Sequence, residues 1–103
     1  EPFEPENQRV LLPFLRQARA AYPEKTVWAF SGFTYEELLT QGSYPRCEAT
    51  DGMLSLLDVL VDGRYVEARK DISLRFRGSS NQRLIDLNAT RQAGEIVLLP
   101  DRR

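Results

Sequence analysis

Apolar positions along this chain change their spacing from block to block, and each block predicts a different element. Val10, Leu11, Phe14, Leu15 and Ala18 recur every three or four residues, with Arg9, Arg16, Gln17 and Arg19 between them. That spacing predicts an amphipathic helix over residues 8–22, kinked or delayed by Pro13 and ended by Pro23. Thr26-Val27-Trp28-Ala29-Phe30-Ser31 is rich in β-branched and aromatic side chains and stops at Gly32, a strand pattern. Thr34 followed three residues later by Glu37 forms a capping box, with Phe33 placed to pack on Leu38, so a helix starts there. Val59-Leu60-Val61 and Leu84-Ile85 are short apolar runs bounded by acids and read as buried strands.

The connections set the expected topology. Residues 41–52 hold two glycines and a proline and read as a loop with no assigned function, after which Asp51 is placed to cap a short helix through Met53, Leu54 and Leu57. Segments 32–57 and 63–82 each have room for a crossover, which makes the three strands parallel; a short helix is expected over 64–70 and an extended approach over 71–76. Link 88–94 is too short for another crossover. Glu95-Ile96-Val97-Leu98-Leu99 should therefore run antiparallel to its predecessor or lie as a tail, with residues 100–103 frayed. The expected fold is α/β: about three parallel strands with outer helices plus a C-terminal hairpin or extended tail, one fragment of a (β/α) barrel occupying residues 1–103. An open sheet edge and an uncovered inner face predict self-association.

Composition narrows the chemistry. The 103 residues carry a formal charge of -1, which provides no whole-chain attraction to nucleic acid or to an anionic membrane, and no apolar run approaches the ~20 residues of a membrane span. Cys47 is the single cysteine and there is no histidine. Those two facts exclude a disulfide framework, cysteine–histidine and serine–histidine–acid catalysis, and an iron–sulfur cluster held by this chain alone. A free thiol without disulfides favours a reducing compartment, the cytoplasm.

Two places can hold a ligand. Strand, glycine and capped helix make a βα turn, which puts Ser31 and Gly32 at the carboxyl end of a strand, as Asp62 is at the end of the next. Arg77-Gly78-Ser79-Ser80-Asn81-Gln82-Arg83 gathers two arginines, two serines and two carboxamides around a glycine, a dense donor set for a carboxylate or phosphate. Arg64, Arg69, Lys70 and Arg75 make the surrounding sequence basic. The same residue types also serve ordinary tight turns and solvated faces.

Asp58-Val59-Leu60-Val61-Asp62-Gly63-Arg64-Tyr65 and Asp71-Ile72-Ser73-Leu74-Arg75-Phe76-Arg77-Gly78-Ser79-Ser80-Asn81-Gln82-Arg83, with Tyr22-Pro23-Glu24-Lys25-Thr26-Val27-Trp28 and Gly32-Phe33-Thr34-Tyr35-Glu36-Glu37-Leu38 upstream, resemble the C-terminal portion of the activating proteins of anaerobic ribonucleoside-triphosphate reductase. Those are radical S-adenosylmethionine enzymes built on a partial (β/α) barrel. The resemblance implies a parent oxidoreductase whose [4Fe-4S] cluster reduces S-adenosylmethionine to a radical that is passed to a glycine of the partner reductase. It also implies that an N-terminal half carrying the Cys-x-x-x-Cys-x-x-Cys motif belongs before Glu1, so that these residues alone are inactive and hold no cofactor by themselves. Glu1-Pro2 matches the end of the family's Gly-Gly-Glu-Pro segment, which binds the amino group of S-adenosylmethionine. For the cofactor-binding set the resemblance implies Glu1, Arg77, Asn81 and Gln82, to which strand-end geometry adds Ser31, Gly32 and Asp62, with Val59 and Val61 as apolar wall. The alternative is a non-catalytic module whose basic loop 75–83 binds a phosphate, a nucleotide or an acidic protein.

Overall fold

In the computed structural model, which describes residues 1–101, the first helix, α1 (Pro5–Ala21), starts earlier than the periodicity suggests, because Pro5 sits in the first turn, where its missing N–H is not needed. It continues through Pro13. Its buried side is Gln8 with Leu11, Leu12 and Leu15, while Val10 and Phe14, expected on the core face, are exposed. Two interactions select that side. Gln8 donates to the carbonyls of Phe3 and Pro45 at 2.8 and 2.7 Å and accepts from Thr50 Oγ1 at 2.7 Å. Gly52 in α3 (Thr50–Ser55) leaves room for Leu12, whose methyl would lie 3.0 Å from any Cβ added there. Ala49 precedes α3 at the cap position, and Asp51 instead pairs with Arg46 at 2.6 Å, so the expected Asp51 cap is replaced by an ion pair.

β1 (Trp28–Phe30), β2 (Val59–Asp62) and β3 (Arg83–Asp86) form one sheet in the order β1-β2-β3. β1 and β2 are parallel, but β2 and β3 are antiparallel, which corrects the expectation of three parallel strands. Segment 63–82 had the length for a crossover but holds only a single 3-10 turn, Glu67–Arg69; it folds back on itself and returns at the same end of the sheet. The short helix expected over 64–70 and the extended run over 71–76 are accordingly a turn and a series of bends. Register alternates the faces: Ala29, Leu60 and Ile85 meet the main core with Phe3, Leu38, Met53, Leu57 and Leu87, while Val59, Val61 and Leu84 pack on Phe76 and Leu99 across the sheet.

α2 (Tyr35–Leu39) begins with the expected capping box of Thr34 and Glu37. Beyond β3 the chain forms α4 (Leu87–Ala93), a helix absent from the sequence reading, capped by the Asp86 side chain on the Ala89 N–H and stopped by Gly94 at φ +73. The tail then runs antiparallel to β3 through a bridge between Ile85 and Leu98. Asp101, expected to fray, is buried; Arg102 and Arg103 lie outside the described residues. Asp58 ties the layers together, accepting from Arg19 Nη1 at 2.7 Å, the Val27 N–H at 2.8 Å and Asn88 Nδ2 at 2.9 Å. Burial pushes its carboxyl up, but those donors outweigh burial and leave it below the usual carboxylate range. Among the described residues no helix is long and apolar enough to cross a membrane.

Candidate functional site

The carboxyl ends of β1 and β2 and the amino end of β3 share one rim of the sheet. An open cleft of about 380 Å³ lies there, with Glu1, Ser31 and Gly32 on one side, Gly63, Tyr65 and Gln82 on the other, and Phe30 and Val61 between them. Antiparallel β3 is what delivers Gln82 to this rim, since the residue before a parallel strand would lie at the opposite end.

The Glu1 side is short and rigid. The Ser31 N–H donates to the Val61 carbonyl at 2.8 Å, extending the β1–β2 ladder by one bond. Its hydroxyl accepts from the Phe33 N–H at 3.0 Å and donates to Glu1 Oε2 at 3.1 Å. Gly32 donates its N–H to Glu1 Oε1 at 2.6 Å, and Phe3 donates its N–H to Glu1 Oε2 at 2.7 Å. One carboxylate is thereby fixed across the end of β1 and borders the cleft.

The other side is built from a loop bonded to itself. Gln82 Oε1 accepts the N–H groups of Gly78 and Ser79 at 2.9 and 3.2 Å, and Gln82 Nε2 donates to the Gly63 carbonyl at 3.0 Å. Gly63 needs to be glycine, because its φ is +96 where the chain leaves β2. Tyr65, which lines the cleft, stands close enough to Gly78 that an added Cβ would lie 2.9 Å from its ring.

The structure therefore divides the sequence-derived set. Glu1, Ser31, Gly32 and Gln82 meet at the cleft, together with Val61. Arg77 faces away from it, donating through Nε to Asp101 at 3.0 Å and through Nη1 to the Gln82 carbonyl at 2.6 Å. Asn81 donates to the Arg64 carbonyl at 2.7 Å, and its Oδ1 is buried with no partner among the described residues. Asp62 is 1% exposed and takes Arg83 through both oxygens, at 3.0 and 2.5 Å, as well as the Tyr35 N–H at 2.7 Å. Arg83 continues to Glu36 at 2.5 Å, and its two carboxylate partners raise its pKa still further. Asp62, Arg77 and Asn81 thus lie outside the cleft lining, each bonded to groups elsewhere in the chain. Val59 belongs to the packed layer under Phe76, not to the cleft wall. Tyr65 and Asp101 were missed, Tyr65 because a tyrosine after Gly-Arg carries no local signal and Asp101 because its partners lie 24 to 26 residues upstream.

Cys47 lies against Gln8 Oε1 at 3.6 Å and Thr50 Oγ1 at 3.7 Å, away from the cleft, and among the described residues no group of three or more histidine, cysteine, aspartate or glutamate side chains could hold a metal ion.

Comparison with known proteins adds a lineage. The model of a family described as a 4Fe-4S single cluster domain matches residues 1–85. The anaerobic ribonucleoside-triphosphate reductase-activating protein of Haemophilus influenzae is 35% identical over 82 residues, covering 80% of this chain and 48% of that protein. The protein of the same name from Escherichia coli K12 is 37% identical over the same shares, and that of Enterobacteria phage T4 is 31% identical over 84 residues, 82% of this chain and 47% of its own length. The chain spans about half the length of the curated relatives it matches. No solved structure matches it.

Proposed function

The chain belongs to the 4Fe-4S single cluster domain family, and on that premise we propose that it is the C-terminal part of a radical S-adenosylmethionine activase acting on an anaerobic ribonucleotide reductase. In this reading the sheet is one segment of a partial (β/α) barrel, and its cleft receives the amino-acid end of S-adenosylmethionine. The observation that carries it is the Glu1 carboxylate, fixed by Gly32 and Ser31 at the carboxyl end of a parallel strand, where ligands of such sheets bind. A carboxylate held there can accept a hydrogen bond from an ammonium group. Gln82 has a second amide hydrogen beyond the one given to Gly63, and Phe30 and Val61 offer an apolar floor.

S-adenosylmethionine supplies the radical chemistry of such activases when bound; these residues bind and orient it. They cannot hold the cluster, because one thiol does not replace three. Anaerobic reconstitution of the 103 residues with iron and sulfide should give no stable cluster absorbance, and a stoichiometric, reducible cluster would overturn that division of labour. The alternative, a phosphate- or protein-binding module using loop 75–83, draws less support, since Arg77, Asn81 and Gln82 are occupied within the loop. The formal charge of -1 provides no whole-chain attraction to nucleic acid or to an anionic membrane.

The test is a titration of the isotopically labelled chain with S-adenosylmethionine, followed by amide resonances. Only weak, fast-exchange contact is expected, far short of a cofactor held by these residues alone, with shifts clustered at Ser31, Gly32 and Gln82. Shifts elsewhere, or none at millimolar ligand, would overturn the reading. We also propose that β1, an edge strand whose Phe30 is 52% exposed, pairs with a second copy, which a monodisperse monomer at high concentration would refute.

A further inference from the structure

The last described residues do something that the family match, ending at residue 85, does not account for. Gly94 stops α4, the Leu99 N–H donates to the Leu84 carbonyl at 2.8 Å, and Leu99, like Phe76, packs against the Val59, Val61 and Leu84 cluster. This brings Asp101 beneath the 75–82 loop. Three consecutive backbone N–H groups converge on its carboxylate, from Arg75 at 3.0 Å, Phe76 at 2.7 Å and Arg77 at 3.0 Å, and the Arg77 guanidinium adds a fourth donor at 3.0 Å. The Asp101 side chain is completely buried. Successive N–H groups aimed at one point, backed by a guanidinium, form a concave receptor for an anion.

We propose that residues 75–77 are a carboxylate-binding site that the chain fills with its own Asp101, and that this internal ligand positions Gln82 in the cleft. The route is short. Arg77, held on Asp101, donates to the Gln82 carbonyl at 2.6 Å, and the Gln82 side chain caps Gly78 and Ser79 while lining the cleft. Leu74 and Phe76 are the loop's apolar anchors, and the carboxylate is the one acceptor that the three N–H groups share. The ligand chemistry is a free carboxylate; an inorganic oxyanion shares the charge but is tetrahedral and should fit less well. Asp101 is a positioning residue and touches no ligand of the cleft. The carboxylate site stands on geometry alone, whereas its effect on ligand rests on the proposed adenosylmethionine reading.

Amide exchange of the full chain tests it. In Asp101→Ala, exchange at Arg77, Gly78 and Ser79 should accelerate at least tenfold, while Ser31, on the β1–β2 ladder, stays protected. Sodium acetate at tens of millimolar should restore that protection, sodium chloride at equal ionic strength should not, and phosphate should do so less well. Leu99→Ala loosens the tail without emptying the receptor, so acetate should leave it unchanged. If Asp101→Ala proves unfolded, Asp101→Asn, which keeps one acceptor, should show intermediate protection improved by acetate. Unchanged exchange in both variants, or losses that acetate never reverses, would overturn the proposal. With S-adenosylmethionine added, Asp101→Ala should lose the Gln82 response and keep that of Gly32. A wild-type chain without any response refutes the adenosylmethionine reading, yet the acetate result still decides the carboxylate site.

Discussion

Two polar segments meet at the rim of the sheet and use their donors in opposite ways. The Ser31–Gly32 turn has few polar groups, but the ladder to β2 before it and the capping box of α2 after it hold its backbone, so its hydroxyl and N–H are turned toward Glu1 at the cleft. Loop 75–82 has many more, and almost all are directed inward. A twenty-residue excursion with a single 3-10 turn and one isolated bridge, Lys70 with Ser79, satisfies only part of its backbone by itself, and side chains take much of the rest. Donor density in a long loop is therefore a sign of self-support before it is a sign of recognition.

The largest effect that tests this contrast is on stability. Asp101→Ala leaves three N–H groups and a guanidinium facing a void, and should lower the unfolding free energy by about 2–4 kcal/mol in urea titrations. A loss under half a kilocalorie would mean that the loop stands without its tail. Acid should act next in size. Burial pushes the Asp101 carboxyl up, but Arg77 and the Phe76, Arg75 and Arg77 N–H groups hold it below the ordinary carboxylate range. Asp58 has the same sign. Because the folded pKa values are depressed, this stability is present above the unfolded carboxylate pKa of about 4 and is lost as pH falls through the lower folded values. Midpoints should hold from neutral pH to about 5 and then drop, less steeply in Asp101→Asn.

Arg77→Lys keeps the charge and loses the fork between Asp101 and the Gln82 carbonyl, which should cost about 1–2 kcal/mol in the same titrations. Its adenosylmethionine shifts at Gly32 should match wild type well below melting. Unchanged melting with a weakened Gly32 response would return Arg77 to the ligand site and break the contrast. The smallest stability change belongs to Glu1→Gln, about 0.5–1 kcal/mol, because the amide still accepts from Gly32 or Phe3. The same variant should abolish the ligand response if that end of the cleft takes an ammonium group.

How far these features could be read in the sequence depended on how far apart their partners lie. The Thr34–Glu37 box and the burial of β2 were legible because each is written within a few residues. The direction of β3 was not: length alone gave 63–82 room for a crossover, and no pattern in the sequence says that the chain returns to the rim it left. Helix α4 was read only as a link too short for a crossover, although Asp86 at its cap and Gly94 at its stop are both visible signals. At the cleft, Ser31 and Gly32 follow from the strand–glycine–cap pattern, while Gln82 reaches them only through the antiparallel β3 that the sequence reading did not expect. Arg77 was assigned outward because its partner is 24 residues away, in a stretch with no periodicity of its own.

The distance between Asp101 and its receptor is also a delay. A ribosome adding 5–20 residues per second makes Arg77 about 1–5 seconds before the carboxylate that organises it. Through that interval the nascent loop is basic, unanchored and open to any acid that passes, and the Val59, Val61 and Leu84 face waits for Leu99 to cover it. The order of synthesis thus makes this tail segment the step that completes the loop and the sheet, and a chain cut before Leu99 would leave the receptor empty and one apolar face without its lid.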